Sequence, residues 1–266
     1  MEKIYHGFNN EICKKCYDEV SLQNIMSLPQ PIPYIGPHFK ESKKRLLFVG
    51  IETYGNQIRK NRDQILYDRF LTEEDVDDTK NESEHNPFWN WVINDPTPRR
   101  SPFWHWVINI SEQLISPGQA EKAFNYIAYS NLVKCQARER PSSQDEKYED
   151  VMKKSSYQIT EKLYRNCIQK AGWIYREIRT IEAKNIIIFA GRKQNHFLAR
   201  LFLNDEEGII ISKTDYEHNY IMRLTDGVRN FVISYHPQGA PKSLRDEIIR
   251  TIEKDDWNKA IQWKMP

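Results

Sequence analysis

The sequence lacks any apolar run approaching the roughly 20 residues that a membrane-spanning helix requires. Its first residues also lack the apolar stretch of a secretory signal. Net charge is small, because 39 Lys and Arg residues are nearly balanced by 37 Asp and Glu residues, which leaves +2. The chain therefore lacks the overall field of a strongly basic nucleic-acid binder, and any such site must be a local patch. We expect a soluble, cytoplasmic protein.

Cysteine is also scarce. The chain has four cysteines, Cys13, Cys16, Cys135 and Cys167, and cytoplasmic proteins seldom use cysteine for structural disulfides. The first two form a C-x-x-C pair, and four thiolates suit either an iron–sulfur cluster or a structural zinc ion. The alternative is four unrelated thiols, two of them close in sequence by chance.

Four apolar runs predict buried strands. They cover residues 45–51, 126–132, 185–190 and 230–235. Continuous apolar runs are typical of strands that are covered on both faces in a parallel sheet, and helical segments alternate with them. The sequence therefore predicts an α/β fold, a three-layer α/β/α sandwich with a central, mainly parallel, four-stranded sheet. Residues 208–212 and 220–224 are expected to add short strands.

The length of 266 residues suits one large domain with its own core, over residues 1–266. An N-terminal lead-in at residues 1–44 has several prolines between residues 29 and 37, which favour an extended chain. Residues 136–160 are charged and poor in apolar side chains, so we expect an inserted arm or mobile loop there.

A local duplication predicts two helices. Residues 87–94 and 102–109 are near-copies, and each follows a good N-cap residue, Asn86 or Ser101, with proline at the first helical position. In the second copy, residues at helical spacing predict one apolar face that packs on the sheet. That face carries Phe103, Trp106, Ile110 and Leu114.

Two more helices are predicted further along the chain. One spans residues 163–181, where apolar side chains recur at steps of three and four residues. Its apolar face carries Leu163, Cys167, Ala171, Ile174, Ile178 and Ile181. The other is expected from about Ser243, a plausible N-cap, to Lys254.

Three residues that can carry chemistry lie at the ends of predicted strands: Glu52, Asn131 and His236. In open α/β sheets, ligands bind beyond the carboxyl ends of the strands, so these side chains are expected to face one pocket. A carboxylate and a histidine placed in this way can direct water onto an electron-poor carbon and donate a hydrogen bond or a proton to a leaving group.

Four short motifs carry a resemblance to a known family. They are Gly-Ile-Glu-Thr-Tyr-Gly at residues 50–55, Ser-Asn-Leu-Val-Lys-Cys at residues 130–135, Phe-Ala-Gly-Arg at residues 189–192 and Tyr-His-Pro-Gln at residues 235–238. In this order and spacing, from residue 45 onward, they resemble the uracil-DNA glycosylase superfamily. The second motif and the places of the four cysteines are most similar to its iron–sulfur branch, family 4.

The resemblance implies hydrolysis of the N-glycosidic bond to a base that is flipped out of DNA. Glu52 would stabilise the cationic sugar and orient water, and His236 would donate a hydrogen bond to the departing base. Asn131 would read the edge of the base, because an amide offers both a donor and an acceptor. No catalytic lysine is evident near these motifs, so a monofunctional enzyme that leaves the strand intact is expected.

The resemblance also implies a base pocket and DNA contacts. Gly50 and Tyr54 would line the pocket, with Tyr54 against a 5-substituent of the pyrimidine. The base would stack on Phe103, with Phe70 and Phe88 as alternatives. The protein would act as a monomer on DNA. Phosphates would contact Lys242, Ser243 and Arg245 near a helix start.

The motifs depart from family 4 at several positions. Glu52 lies one residue later than the acid of that family, Thr53 replaces a proline, and Gln238 stands where a serine usually follows His-Pro. These departures leave the excised base open between uracil and a modified pyrimidine. A hypermodified cytosine of phage DNA would make this a defence enzyme rather than a repair enzyme. A non-catalytic nucleic-acid-binding protein that retains the fold is the alternative from a different class.

We expect the purified protein to be brown, with broad absorption in the visible region, because the resemblance implies a [4Fe-4S] cluster on four thiolates. The ligands would be Cys13, Cys16, Cys135 and Cys167. Cys167 is the ligand whose spacing departs most from the family. Absorption spectra and metal analysis of an anaerobic preparation check this. A colourless protein with stoichiometric zinc would contradict the iron assignment.

Overall fold

The computed structural model describes residues 25–29, 34–51, 102–133, 135–139, 161–162, 164–190, 196–213, 221–238, 240–255 and 257–266. Only the backbone is described at residues 25–29, 34, 120–121 and 135–139. The chain divides into two compact units. The first comprises residues 1–32, 52–78 and 131–180, and the second comprises residues 33–51, 79–130 and 181–266. A single domain over the whole chain stays a prediction.

Strands and helices alternate along the described residues. The strands are β1 (Ile25–Pro29), β2 (Tyr34–Ile35), β3 (Leu46–Gly50), β4 (Ala128–Asn131), β5 (Cys135–Glu139), β6 (Asn185–Phe189), β7 (Ile221–Thr225), β8 (Asn230–Ser234) and β9 (Ile261–Gln262). The α-helices are α1 (Pro102–Ile115), α2 (Ala120–Phe124), α3 (Trp173–Ile181), α4 (Phe197–Leu203), α5 (Ile209–Ser212) and α6 (Lys242–Lys254).

A mixed, mainly parallel sheet organises the second unit, and it confirms the predicted α/β class. Its strand order is β2-β4-β3-β6-β8-β7-β9, and the last residue of β4, Asn131, is counted with the first unit. In the described part of the chain the sheet has seven strands rather than four. The four predicted core strands are its adjacent centre, β4-β3-β6-β8, and the others flank them.

The central strands are parallel and in matched register. β3 pairs with β6 and β6 pairs with β8, so Val49, Ile188 and Ile233 lie at one level. All three strands are buried along almost their whole length, as expected for continuous apolar runs in a parallel sheet. Beyond them, β7 runs antiparallel to β8 as a hairpin and confirms the strand predicted near residues 220–224.

Helix α1 confirms the second copy of the duplication. Phe103, Trp106 and Ile110 are buried, whereas Leu114 is half-buried near the end of the helix. The helix contacts α2 and α6. The first copy, residues 87–94, and the predicted cap Ser101 lie outside the described residues.

Residues 208–212 form a helical turn, α5, so the predicted strand there was wrong. The cause is a local cap. The Asp205 carboxylate accepts hydrogen bonds from the backbone N–H groups of Ile210 and Ile211, both at 3.0 Å, and Gly208 takes a left-handed conformation at φ 73°. A carboxylate on the first free N–H groups favours a helix start even where the side chains are β-branched.

Helix α6 confirms the predicted C-terminal helix, but Ser243 is not its cap. The helix begins at Lys242 after Pro241, an N-cap residue without a side-chain hydrogen bond. At the other end, the Lys44 ammonium donates to the carbonyl oxygen of Ile252 at 2.8 Å. A cation on the last carbonyls offsets the negative end of the helix dipole.

The first unit contains a two-stranded antiparallel sheet in which β1 pairs with β5, and Pro29 lies opposite Cys135. Residues 136–139 therefore continue a strand, so of the two alternatives a mobile loop was wrong for these four residues and an inserted arm stays a prediction. Residues 140–160 lie outside the described part of the chain. Within the proline-rich stretch, the predicted extended conformation is confirmed at residues 29 and 34–35, which lie in β1 and β2, whereas the chain turns at residues 37–38.

The predicted helix over residues 163–181 is interrupted. A π-helical turn at Asn166–Lys170 precedes α3, and Gly172 separates them in a left-handed conformation at φ 63°. The apolar face is buried as predicted at Cys167, Ala171, Ile174, Ile178 and Ile181. Within the described ranges, no helix is long and apolar enough to cross a membrane.

Burial of Tyr175 on α3 predicts that the folded protein loses stability at alkaline pH. Burial raises the pKa of its hydroxyl above the usual value, and the Arg179 guanidinium opposes this only in part. The unfolded chain releases this proton near pH 10, as a free tyrosine does. The folded chain still holds it there, so the stabilisation that is present below pH 10 is lost as pH rises further.

We expect the free energy of unfolding of the Tyr175→Phe variant to fall less steeply above pH 10 than that of the wild type. The measurement is the free energy of unfolding in urea at pH 8 and above pH 10 for the wild type and the variant. Tyr126→Phe, at a half-buried tyrosine of the second unit, is the control and should keep the wild-type slope. An unchanged slope in Tyr175→Phe would contradict the assignment.

Candidate active site

The carboxyl ends of three core strands meet at one edge of the sheet. Because β3, β6 and β8 are parallel, this edge contains Gly50, Phe189 and Ser234, and the chain leaves each strand there. Pairing continues past the strands, since the Ala190 N–H donates to the carbonyl oxygen of Ser234 at 2.8 Å. With β6 between them, the ends of β3 and β8 lie about 10 Å apart.

His236 lies at this edge, two residues beyond β8. Tyr235 and Pro237 on either side of it are buried, and His236 itself is half-buried. The backbone N–H of Gln238 donates to its Nδ1 at 3.2 Å. Nδ1 is therefore the acceptor, and a neutral imidazole carries its proton on Nε2. The turn after β8 thus selects the tautomer in which Nε2 is a hydrogen-bond donor.

Phe103 lies against His236. The two rings are nearly parallel, with 5.8 Å between centroids and an interplanar angle of 20°. Phe103 also meets Phe189 edge-on at 5.4 Å and Tyr129 at 5.7 Å. The first turn of α1 is thereby joined to the ends of β6 and β8, which brings together two residues that the sequence placed in one site.

An aromatic cluster surrounds this contact: Phe103, Trp104, Tyr129 and Phe189. Trp104 lies 5.0 Å from Phe103 and 4.9 Å from Tyr129 between ring centroids. Aromatic pairs in such geometries contribute about 0.5–1.5 kcal/mol each beyond burial. Sequence reasoning did not assign Tyr129 or Phe189 to the site. The available signal was that each stands within two residues of a strand end that carries a motif.

Two of the other residues expected in the pocket are among the described residues. Gly50 is buried as the last residue of β3, and Asn131 is 3% exposed as the last residue of β4. Both are therefore at the strand ends where the sequence predicted them. Glu52, Tyr54 and the alternative stacking residues lie outside the described residues. The alternatives are Phe70 and Phe88.

The expected phosphate contacts lie in the first turns of α6. Lys242 and Ser243 are exposed, and the first turn holds no acidic residue. Arg245 differs, because its Nε and Nη2 atoms donate to the Asp246 carboxylate at 3.1 and 2.9 Å. That carboxylate offsets the charge of Arg245, so Lys242 is the better placed of the two cations to meet a phosphate.

The cysteines are described only in part. Cys167 is 7% exposed on the π-helical turn, and the backbone of Cys135 begins β5, opposite Pro29 of β1. Cys13 and Cys16 precede β1 in the chain and lie outside the described residues. The β1–β5 pairing ties the strand that follows C-x-x-C to the strand that carries Cys135. The donor set of four thiolates fits an iron–sulfur cluster.

Among the side chains that the structure describes, no group of three His, Cys, Asp or Glu residues could hold a metal ion. Three of the four cysteine side chains are not among them. Comparison of the sequence with known protein families and with curated proteins finds no match in either set. The function is therefore inferred from the residues and the geometry of the site.

The contact between Gln238 and His236 predicts one tautomer in solution. We expect the neutral form of the His236 ring to carry its proton on Nε2, because a backbone N–H already donates to Nδ1. Nitrogen-15 chemical shifts of the ring in histidine-labelled protein measure this, with assignment from the signals lost in His236→Asn. A ring with its proton on Nδ1 would contradict the hydrogen bond.

Proposed function

We propose that the protein is a monofunctional DNA glycosylase, which hydrolyses the N-glycosidic bond of a flipped-out uracil or modified pyrimidine and leaves an abasic site. The observation that carries this proposal is the His236 imidazole at the carboxyl edge of the sheet. Its Nδ1 accepts from the backbone of Gln238, and its ring lies on Phe103. An aligned donor at a strand end is what a departing base requires.

The register of β3 and β8 supports the proposed roles of Glu52 and His236. Val49 and Ile233 lie at one level across β6. Counted along the sequence, Glu52 is the third residue after Val49, and His236 is the third residue after Ile233. β3 and β8 end about 10 Å apart, a separation that a nucleoside can span.

In the proposed reaction the bond between C1′ of the sugar and the base nitrogen breaks, and its electron pair leaves with the base. Negative charge builds on the base oxygen, to which the Nε2–H of His236 donates. The sugar becomes an oxocarbenium-like cation that the Glu52 carboxylate stabilises. Water forms the new bond to C1′, and Glu52 orients it and takes up its proton.

The proposal includes finer features of the fold and its partners. The sheet would be the centre of a three-layer sandwich like that of the uracil-DNA glycosylases, and the protein would act as a monomer on DNA in the cytoplasm. Asn131 would read the base edge, with Gly50 and Tyr54 lining the pocket. Phosphates would meet Lys242 and Ser243, with Arg245 nearby. A [4Fe-4S] cluster on the four cysteines would have a structural role.

We expect the protein to release base from DNA without cutting the strand. The assay uses end-labelled single and double strands that contain uracil, 5-substituted uracil or modified cytosine, with and without hot alkali. Breaks should appear only after alkali, which cleaves at abasic sites. Since each charge-stabilising group contributes about 10²–10³ in rate, Glu52→Gln and His236→Ala should lose at least that much activity.

Matched controls are present in the same chain. Glu41 and His38 are exposed and bonded to each other at 2.9 Å, so Glu41→Gln and His38→Ala repeat both changes at residues to which the proposed site assigns no role. These two variants should retain full activity. Tight DNA binding by the wild type without release of any base would instead assign a non-catalytic nucleic-acid-binding protein. Release of modified cytosine alone would favour the defence role.

A further inference from the structure

Phe103 is the residue whose contacts depart most from its expected role as a platform for the base. We propose that Phe103 is a positioning residue, which holds the plane of the His236 imidazole so that Nε2 points toward the departing base. This inference rests on the proposed glycosylase function and adds to the same site a residue that acts through another residue.

The His236 imidazole covers one face of the Phe103 ring. The ring lies nearly parallel to the imidazole, at 20° and 5.8 Å between centroids, which is an offset stack. Only 8% of Phe103 is exposed. A base that stacked on this ring would need an uncovered face, whereas almost all of the side chain is already covered by protein.

Phe103 is itself held from several sides. Its ring makes edge contacts with Trp104 at 5.0 Å, Phe189 at 5.4 Å and Tyr129 at 5.7 Å. These neighbours belong to α1, β6 and β4, so three elements fix the ring that lies on the imidazole. A side chain whose rotamer is locked by packing can in turn fix the group that it touches.

Two restraints then act on His236 in different ways. The Gln238 N–H meets Nδ1 at 3.2 Å, which selects the tautomer, but a hydrogen bond at one ring atom does not by itself set the plane of the ring. The Phe103 ring lies on the imidazole face and holds that plane. Together they fix both the proton on Nε2 and the direction in which it points. A small misdirection of a catalytic group can cost about 10²-fold in rate.

The test compares three variants. Phe103→Leu removes the aromatic face, and Phe103→Tyr keeps it. Phe202→Leu is the matched control, because Phe202 is fully buried among aromatic rings of the same unit and has no described ring contact with His236. Thermal unfolding should show similar loss of stability in the two leucine variants, so that differences between them report on the site.

The first readout needs no catalysis. Phe103→Leu should leave the proton on Nε2 but broaden the His236 ring signals and speed exchange of the Gln238 amide proton, because the imidazole is no longer held in one plane, while Phe103→Tyr and Phe202→Leu keep the wild-type spectrum. The second readout separates binding from chemistry. Phe103→Leu should lower the single-turnover rate about 10²-fold and leave the Kd for DNA with a non-cleavable 2′-fluoro nucleotide unchanged.

The two proposals can fail separately. If Phe103→Leu weakens DNA binding as much as it lowers the rate, with the line widths of the His236 ring and the exchange of the Gln238 amide unchanged, Phe103 stacks on the base and the positioning role is wrong. If the wild type releases no base from any substrate, the glycosylase function fails. The spectrum still decides whether Phe103 fixes the imidazole, and wild-type line widths of the His236 ring with wild-type amide exchange at Gln238 in Phe103→Leu would overturn that as well.

Discussion

The parallel pairing of β3, β6 and β8 is the constraint on which the site depends. Parallel strands send their carboxyl ends to one edge of the sheet. The register places Val49, Ile188 and Ile233 at one level, so segments separated by more than 180 residues of sequence leave the sheet side by side. Close packing on both faces fixes this alignment, because a slip by one residue would exchange side chains of different size between the two faces.

The aromatic cluster orients the side chain of His236, which the pairing of the strands does not. Backbone pairing sets where β8 ends, but it does not set the orientation of a side chain two residues later. The turn at Gln238 and the ring of Phe103 supply that orientation from two directions. Helix α1 thereby contributes to the site through its first turn. Its other buried residues anchor the helix itself, with Trp106 on Phe189 at 6.1 Å.

Attraction to DNA in the proposed complex would come from a few local charges rather than from the overall charge of the protein. The net charge of +2 gives no strong overall attraction to DNA, and Arg245 is offset by Asp246. Contact with phosphates in the proposed complex therefore depends on a small number of exposed groups near the start of α6. Affinity of this kind falls with salt in proportion to the number of phosphates contacted.

The sequence by itself determined the four core strands, α1, α6 and the strand-end positions of Gly50, Asn131 and His236, because burial on both faces and helical periodicity leave a direct signal in residue order. It did not determine α5, where the Asp205 carboxylate overrides a β-branched run, or β5, which forms only by pairing with β1. Tertiary structure alone decided that Phe103 lies on His236. That contact joins residues 133 positions apart, and local pattern carries no information about which distant side chains meet.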